Sequence, residues 1–224
     1  MTPVTDPAPP SAPTPPPSGV LHLRTWIPAS LDERFSAWCD GHHVEQLVVP
    51  GFRRVRRFSL ARSTATEPAR FLTIYDLDRL EVVDGPAYAE YRNRSTGLPE
   101  FLQGRLRAAR SDAWLVAAAP AVDAMVPDGS GLVHLFLTDT PDAATWFAER
   151  GLALVRAVGG TTARLLHSRA GEQIVLIELP DGADVDAVEL DPLDLPDGAP
   201  VGTGWGSYRL DYVARPDGTD PSGS

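Results

Sequence analysis

Lysine is absent from this 224-residue chain; all 20 basic side chains are arginine. Alanine, glycine, proline and aspartate are abundant, so the absence reads as coding bias in a GC-rich bacterial genome. Cysteine is nearly absent too. The lone Cys39 excludes an intramolecular disulfide and a cysteine-based metal cluster. No apolar run approaches bilayer-spanning length. The N-terminus has no basic region followed by an apolar stretch, so no secretory signal is expected, and a cytoplasmic location is. Positive charge is in deficit as well: a net charge of −10 argues against a nucleic-acid surface. The deficit is uneven. Residues 1–119 hold 14 Arg against 13 acids, a net of +1, whereas residues 120–224 hold 6 against 17, a net of −11.

An apolar content of 43% is enough for a real core. Residues 1–18 carry 8 of the 22 prolines and little to bury, which predicts a disordered or polyproline II tail, and residues 216–224 form a second loose end. Between them, alternation and turn signals predict a strand at 20–27, then a helix starting at a Ser30–Glu33 capping box and weakened at Gly41. Strands follow at 52–60 and 70–77, then a helical region over 85–110 broken near Gly97 and Pro99, then a strand at 112–119. This is the βαββαβ order of a ferredoxin-like unit.

The second half retraces it. "GVLHL" at 19–23 returns as "GLVHL" at 131–135, with a helix over 141–155, strands at 161–170 and 172–179, and a last strand at 206–215. In place of a second helix stands the acidic, proline-broken stretch 180–200, whose 181–197 segment reads as a loop. The expected fold is α+β: two tandem ferredoxin-like repeats, 19–119 and 131–215, joined by a linker at 120–130 and closing into one intrachain α+β barrel. The second repeat is degenerate.

Alternation sorts side chains to two faces. Leu21, Leu23 and Ile27 go beneath the helices, and Val20, His22, Arg24 and Trp26 go the other way; His134 matches His22. Two facing sheets would aim both histidines into the space between them. On the third strand Phe71, Thr73 and Tyr75 share a face, with Asp76 opposite, where it is expected solvated or paired with an Arg. Arg53, Arg54, Arg56 and Arg57 in "FRRVRRF" are expected at exposed strand positions. Asp76, Asp78 and Asp84 read as an acidic loop rather than metal ligands, and no metal site is expected.

The stretch "FSAWCDGHHVEQLVVPGF" (35–52) carries Phe35, Trp38, the His42–His43 pair, and Pro50-Gly51-Phe52. It resembles the EthD-like branch of the dimeric α/β-barrel superfamily, in which a first helix of the form F-x-x-aromatic ends in H-x-P and a P-G turn leads to the second strand. "YDL" at 75–77 and "GPAYAEY" at 85–91 are in keeping with it, while Glu45 stands where the family usually has proline. The resemblance places the family histidine at His43. It implies an α+β barrel that binds aromatic or polyketide-like molecules and uses a histidine base beside a tyrosine or similar donor, without a cofactor. Histidine suits that role because its ordinary pKa of about 6.5 lets it take and return a proton near neutrality. The developing oxyanion needs a donor: Tyr75 is the candidate, with Arg24 as the alternative. His22, Trp26, Phe71, Thr73, Trp38 and His42 are the candidate substrate contacts. The competing roles are a helix-end cap for His43 and a core aromatic for Tyr75; His42 can take either part.

Three functions follow. The first is a cofactor-free cyclase, lyase or isomerase of bacterial secondary metabolism, working on a small-molecule substrate as a single chain or homodimer. The second is a carrier or resistance protein that binds the same molecules without chemistry. The third is a haem enzyme, since fused two-repeat barrels include chlorite-dismutase-like proteins; it would need a histidine ligand.

Overall fold

The computed structural model describes residues 18–94, 98–119, 131–137, 143–189 and 201–216. The expected tails (apart from Ser18 and Pro216), the 120–130 linker and residues 190–197 of the acidic 181–197 loop lie outside them. The chain runs β1 (Gly19–Trp26), α1 (Asp32–Leu47), β2 (Phe52–Ser63), β3 (Phe71–Leu77), α2 (Pro86–Arg94), β4 (Arg107–Ala119), β5 (Gly131–Leu137), α3 (Ala143–Ala157), β6 (Thr162–Ser168), β7 (Gln173–Leu179) and β8 (Val201–Ala214). The eight strands close into one barrel in the order β1-β3-β2-β8-β5-β7-β6-β4. All pairings are antiparallel. Closure within one chain leaves no open sheet edge.

Strand order repeats between the halves: β4-β1-β3-β2 in one, β8-β5-β7-β6 in the other. Register repeats with it. Gly19 pairs with Leu77 and Val20 with Asp76, while Gly131 pairs with Leu179 and Leu132 with Glu178. The glycines that open the two echoed segments have a packing reason. A Cβ on Gly19 would lie 2.5 Å from the Leu80 backbone nitrogen, and one on Gly131 would lie 3.0 Å from the Tyr208 carbonyl oxygen. Each strand begins under a neighbouring backbone too close for a side chain.

Alternation assigns the two faces as the sequence predicts. Val20, Leu72, Ile74, Leu132, Leu166, Ile174 and Leu176 meet in one buried cluster inside the barrel. Leu21, Leu47, Val55, Tyr75 and Leu77 form another on the outer, helix-covered face, and α3 covers a third with Phe147 and Leu154. His22 and His134 point inward and stack, ring centroids 5.0 Å apart and 14° from parallel.

Several local expectations change. Arg54, Arg56 and Arg57 are buried, not exposed. Asp76 lies within β3 and is paired with Arg54 and Arg164, one of the two outcomes expected for it, but it is buried and not part of an acidic loop. In an open sheet the polar face of "RRVRR" would meet water; in a closed barrel it meets the carboxylates of another strand. Arg56 Nη1 donates to Glu178 at 2.8 Å, Arg164 Nη1 to Asp76 at 2.7 Å, and Arg54 Nη2 to Asp76 at 2.6 Å. The Ser30–Glu33 box does not form: residues Ala29–Leu31 make a 3₁₀ turn, and α1 begins after it at Asp32, with Leu31 as an N-cap that makes no side-chain hydrogen bond. Among the described residues of the 85–110 region, Pro86–Arg94 are α-helical and Glu100–Leu102 make a 3₁₀ turn, and β4 starts at Arg107. β8 likewise starts at Val201, ahead of the expected 206.

Helix α1 also runs through Gly41 to Leu47. Gly41 is exposed, and a Cβ there would meet nothing within 4 Å. Gly41→Ala should therefore stabilise the fold by about 0.5–1 kcal/mol through backbone entropy alone, read as a raised urea midpoint with unchanged slope.

Candidate functional site

Helix α1 buries Phe35, Cys39, His43 and Leu47, a stripe at four-residue spacing that faces the outer side of the sheet. Opposite it, β3 presents Phe71, Thr73 and Tyr75, all buried. Phe35 and Phe71 meet with ring centroids 4.9 Å apart. One turn pair further along, His43 Nδ1 and the Tyr75 hydroxyl lie 2.6 Å apart. His43 therefore does not cap the end of its helix; the ring reaches across to the sheet.

Burial is nearly complete at this pair, with His43 3% and Tyr75 0% exposed. Burial pushes His43 well below its ordinary pKa, with Arg57 and His42 adding to the effect. Burial likewise pushes Tyr75 well above its own. Both groups are neutral at physiological pH, joined by a neutral hydrogen bond. His43 Nε2 has no hydrogen-bond partner. Around the ring stand Arg57, whose Nη1 donates to Asp40 at 2.5 Å, and Tyr212, whose hydroxyl donates to the Asp40 carbonyl at 3.3 Å. Tyr212 comes from β8, so the second half of the chain contributes to a site built mainly by the first. Beside it, burial raises the Cys39 thiol to about 12, which leaves it inert.

A cleft of about 240 Å³ opens next to the pair. Its floor is Leu21 and Leu23 of β1 with Arg110 of β4; its walls are His42 and Gln46 of α1 and Tyr88, Tyr91 and Arg92 of α2. Leu21 is the strand partner of Tyr75. His42 stacks on Trp38 at 4.9 Å and lies within 3.3 Å of the Tyr91 hydroxyl. Burial lowers the His42 pKa, opposed by Glu45. Arg110 Nη1 donates to the Tyr88 hydroxyl at 3.1 Å. Tyr91 also borders a second cavity of about 480 Å³, lined by Glu45, Val48, Val49, Pro50, Ala87, Glu90 and Arg94.

The nine residues singled out from the sequence separate into two groups. His43, Tyr75, His42, Trp38, Phe71 and Thr73 lie between α1 and the sheet. Arg24, His22 and Trp26 lie on the other face of β1. There Arg24 donates to Glu172 at 2.8 Å, neither His22 ring nitrogen has a hydrogen-bond partner, and Trp26 donates to the Glu67 carbonyl and stacks under Arg107. Arg24 thus belongs to the barrel interior and not to the cleft beside His43. Sequence reading missed Gln46, Tyr88, Tyr91, Arg92, Arg110 and Tyr212 as a group. The i, i+3 spacing of Tyr88 and Tyr91 in "GPAYAEY" was a usable signal for one wall. Arg110 carried none, because its strand read as helix.

Among the described residues no group of three or more His, Cys, Asp or Glu side chains is arranged to hold a metal ion, and no helix is long and apolar enough to cross a membrane.

No family model and no curated protein matches the sequence. Solved structures do match the fold. An anthrone oxidase-like protein aligns over 92% of this chain and 95% of its own, with a TM-score of 0.64 and 12% identity. A candidate monooxygenase from Lactobacillus acidophilus aligns over 89% and 97%, with a TM-score of 0.53 and 9% identity. Another from Fusobacterium nucleatum aligns over 91% and 97%, with a TM-score of 0.51 and 11% identity. At such identities the likeness is one of architecture: this chain has the eight-stranded α/β-barrel fold that those proteins share.

Proposed function

We propose that the chain is a cofactor-independent enzyme of the EthD-like branch that processes a small aromatic or polyketide-like molecule by proton transfer, as a cyclase, lyase or isomerase of the bacterial cytoplasm. In this reading it consists of two tandem ferredoxin-like repeats, 19–119 and 131–215, with the second degenerate. The repeated strand order and register support the duplication. The observation that carries the chemistry is the 2.6 Å contact between His43 and Tyr75 beside the α1–α2 cleft.

His43 is the base. Its depressed pKa keeps the ring neutral, and the Tyr75 contact at Nδ1 fixes its orientation. The unpartnered Nε2 is the atom left to take a proton from carbon next to a carbonyl. Tyr75, held by His43, orients the base. The oxyanion donors then come from the cleft, where His42, Tyr91 and Arg110 stand. Arg24, on the opposite face of β1, has no part in it.

The test is deuterium exchange at carbon next to the carbonyl in a panel of aryl ketones, followed by NMR in D₂O. Wild type should accelerate exchange for ketones it binds. His43→Ala should slow it by about 10²–10⁴-fold, with Tyr75→Phe intermediate. Undiminished exchange by His43→Ala removes this mechanism.

A second reading has its own support: neither His43 nor Tyr75 lines the cleft, and both are sealed behind it. That arrangement suits a protein that binds the same class of molecule without chemistry. Tight binding of panel members with no acceleration of exchange selects it. The haem reading finds less support. His134 is stacked on His22 inside a packed barrel, and the cavity bordered by His167 measures only about 170 Å³.

A further inference from the structure

We infer that the α1–α2 cleft takes a compact aromatic carboxylic acid, one or two rings in size, whose carboxylate is received by Arg110 and Arg92. The inference rests on the reading of this cleft as the ligand site. It adds the charge and size of the ligand.

Size comes first. At about 240 Å³ the cleft lies below the range of about 300–1,000 Å³ usual for ligand pockets. It has room for a short ring system and not for an extended polycycle. The walls are aromatic. Tyr88 and Tyr91 stack with centroids 6.0 Å apart and 22° between planes, Tyr88 stacks on Phe52 at 5.5 Å, and His42 is backed by Trp38. Rings presented in this way favour a flat ligand.

Charge decides the rest. The lining contains two guanidinium groups and no carboxylate. Arg110 gives Nε and Nη2 to Asp112, which anchors it, and Nη1 to the Tyr88 hydroxyl. Each terminal nitrogen carries two N–H groups, so Arg110 retains donors beyond those bonds. Arg92 has no ion-pair partner among the described residues, so the cleft keeps one positive charge that Asp112 does not balance. Both arginines act on the Tyr88 hydroxyl, opposing the rise that burial causes in its pKa. Both line the same cleft, Arg110 within hydrogen-bond distance of the Tyr88 hydroxyl, and two guanidiniums lining one cavity suit a carboxylate. The neighbouring 480 Å³ cavity has the opposite balance: Glu45 and Glu90 against Arg94, which is itself paired with Glu90. An acid is steered away from the larger cavity and into the smaller.

Isothermal titration calorimetry on the full-length protein tests this with 1-naphthoate and its neutral isostere 1-naphthamide. Wild type should bind the acid at least about tenfold more tightly. Arg92→Gln and Arg110→Gln should each bring the ratio towards one, with 1-naphthamide affinity little changed; Arg62→Gln, remote from the cleft, should leave the ratio intact. Arg92 is exposed, so its variant keeps the test open if Arg110→Gln fails to fold. Equal affinity for acid and amide, a ratio that survives both cleft variants, or no binding of either probe at millimolar concentration overturns the inference. Its failure is separable from that of the proposed chemistry. Acid-selective binding without His43-dependent exchange leaves the cleft assignment standing, while His43-dependent exchange without acid selectivity removes only the carboxylate.

Discussion

Glu178→Ala should destabilise the protein by about 3–5 kcal/mol, enough to leave a marginal fold largely unfolded. Glu178 is fully buried, and its Oε1 accepts from Arg56 at 2.8 Å and Arg164 at 3.4 Å. With Arg54 and Asp76 these groups form a cluster of three guanidiniums and two carboxylates inside the barrel, already one positive charge in excess. Removing Glu178 leaves three buried cations against one anion, and Arg56 loses its closest partner. The large effect is a penalty for stranded charge, and is no measure of what the ion pair contributes. The double substitution Arg56→Met with Glu178→Leu removes both members of the 2.8 Å pair and fills their space with apolar volume. It should recover at least half of the loss. Urea unfolding of the three proteins checks this; a double variant no more stable than Glu178→Ala would mean that the cluster specifies the barrel in a way burial cannot replace.

Acid should weaken the fold well above the range in which carboxylates titrate. His22, His43 and His134 are all buried and all held below their ordinary pKa, first by burial; His134 falls to about 3. The unfolded chain takes up these protons near pH 6.5 and the folded chain does not. Stability from this source is complete above about pH 6.5 and is lost as pH falls towards the folded-state values. For His134 alone the loss between about pH 6.5 and 4.5 is on the order of 2–3 kcal/mol. His22 and His43 act in the same direction. Asp211, whose pKa burial raises, works against them in the carboxylate range. Urea unfolding at about pH 7.5 and 4.5 should show the fall, and His134→Leu should make it shallower. A pH-independent midpoint over this interval would mean that water reaches the stacked pair.

How far the sequence could be read depended on how local each signal was. Strand alternation placed Leu21 and Leu23 beneath the helices and His22 within the barrel, because side-chain direction along a strand follows from the backbone alone. The α1 stripe with His43, and Tyr75 on its face of β3, were readable for the same reason. Their meeting was not, since no pattern within either element measures a distance across 32 residues. Arginines at alternating positions look identical whether water or carboxylates face them, and only the closure of β2 onto β8 made Arg56 an interior residue. The cleft was harder still. Its floor combines β1 with Arg110 of a strand whose first residues read as helix, and its far wall is a helix nine residues long.

By itself, then, the sequence determined which residues lie on which face of each strand and helix, and that the chain runs twice through a similar order of elements. Those properties depend on periodicity and on close backbone approach at Gly19 and Gly131. Tertiary structure alone decided partners. It set His22 on His134, Arg56 on Glu178 and His43 on Tyr75, and put Arg110 in the cleft beside that pair, where sequence reading had offered Arg24. The reason is physical: burial and pairing energies depend on which surfaces meet, and closing eight strands into a barrel brings together side chains that no local signal connects.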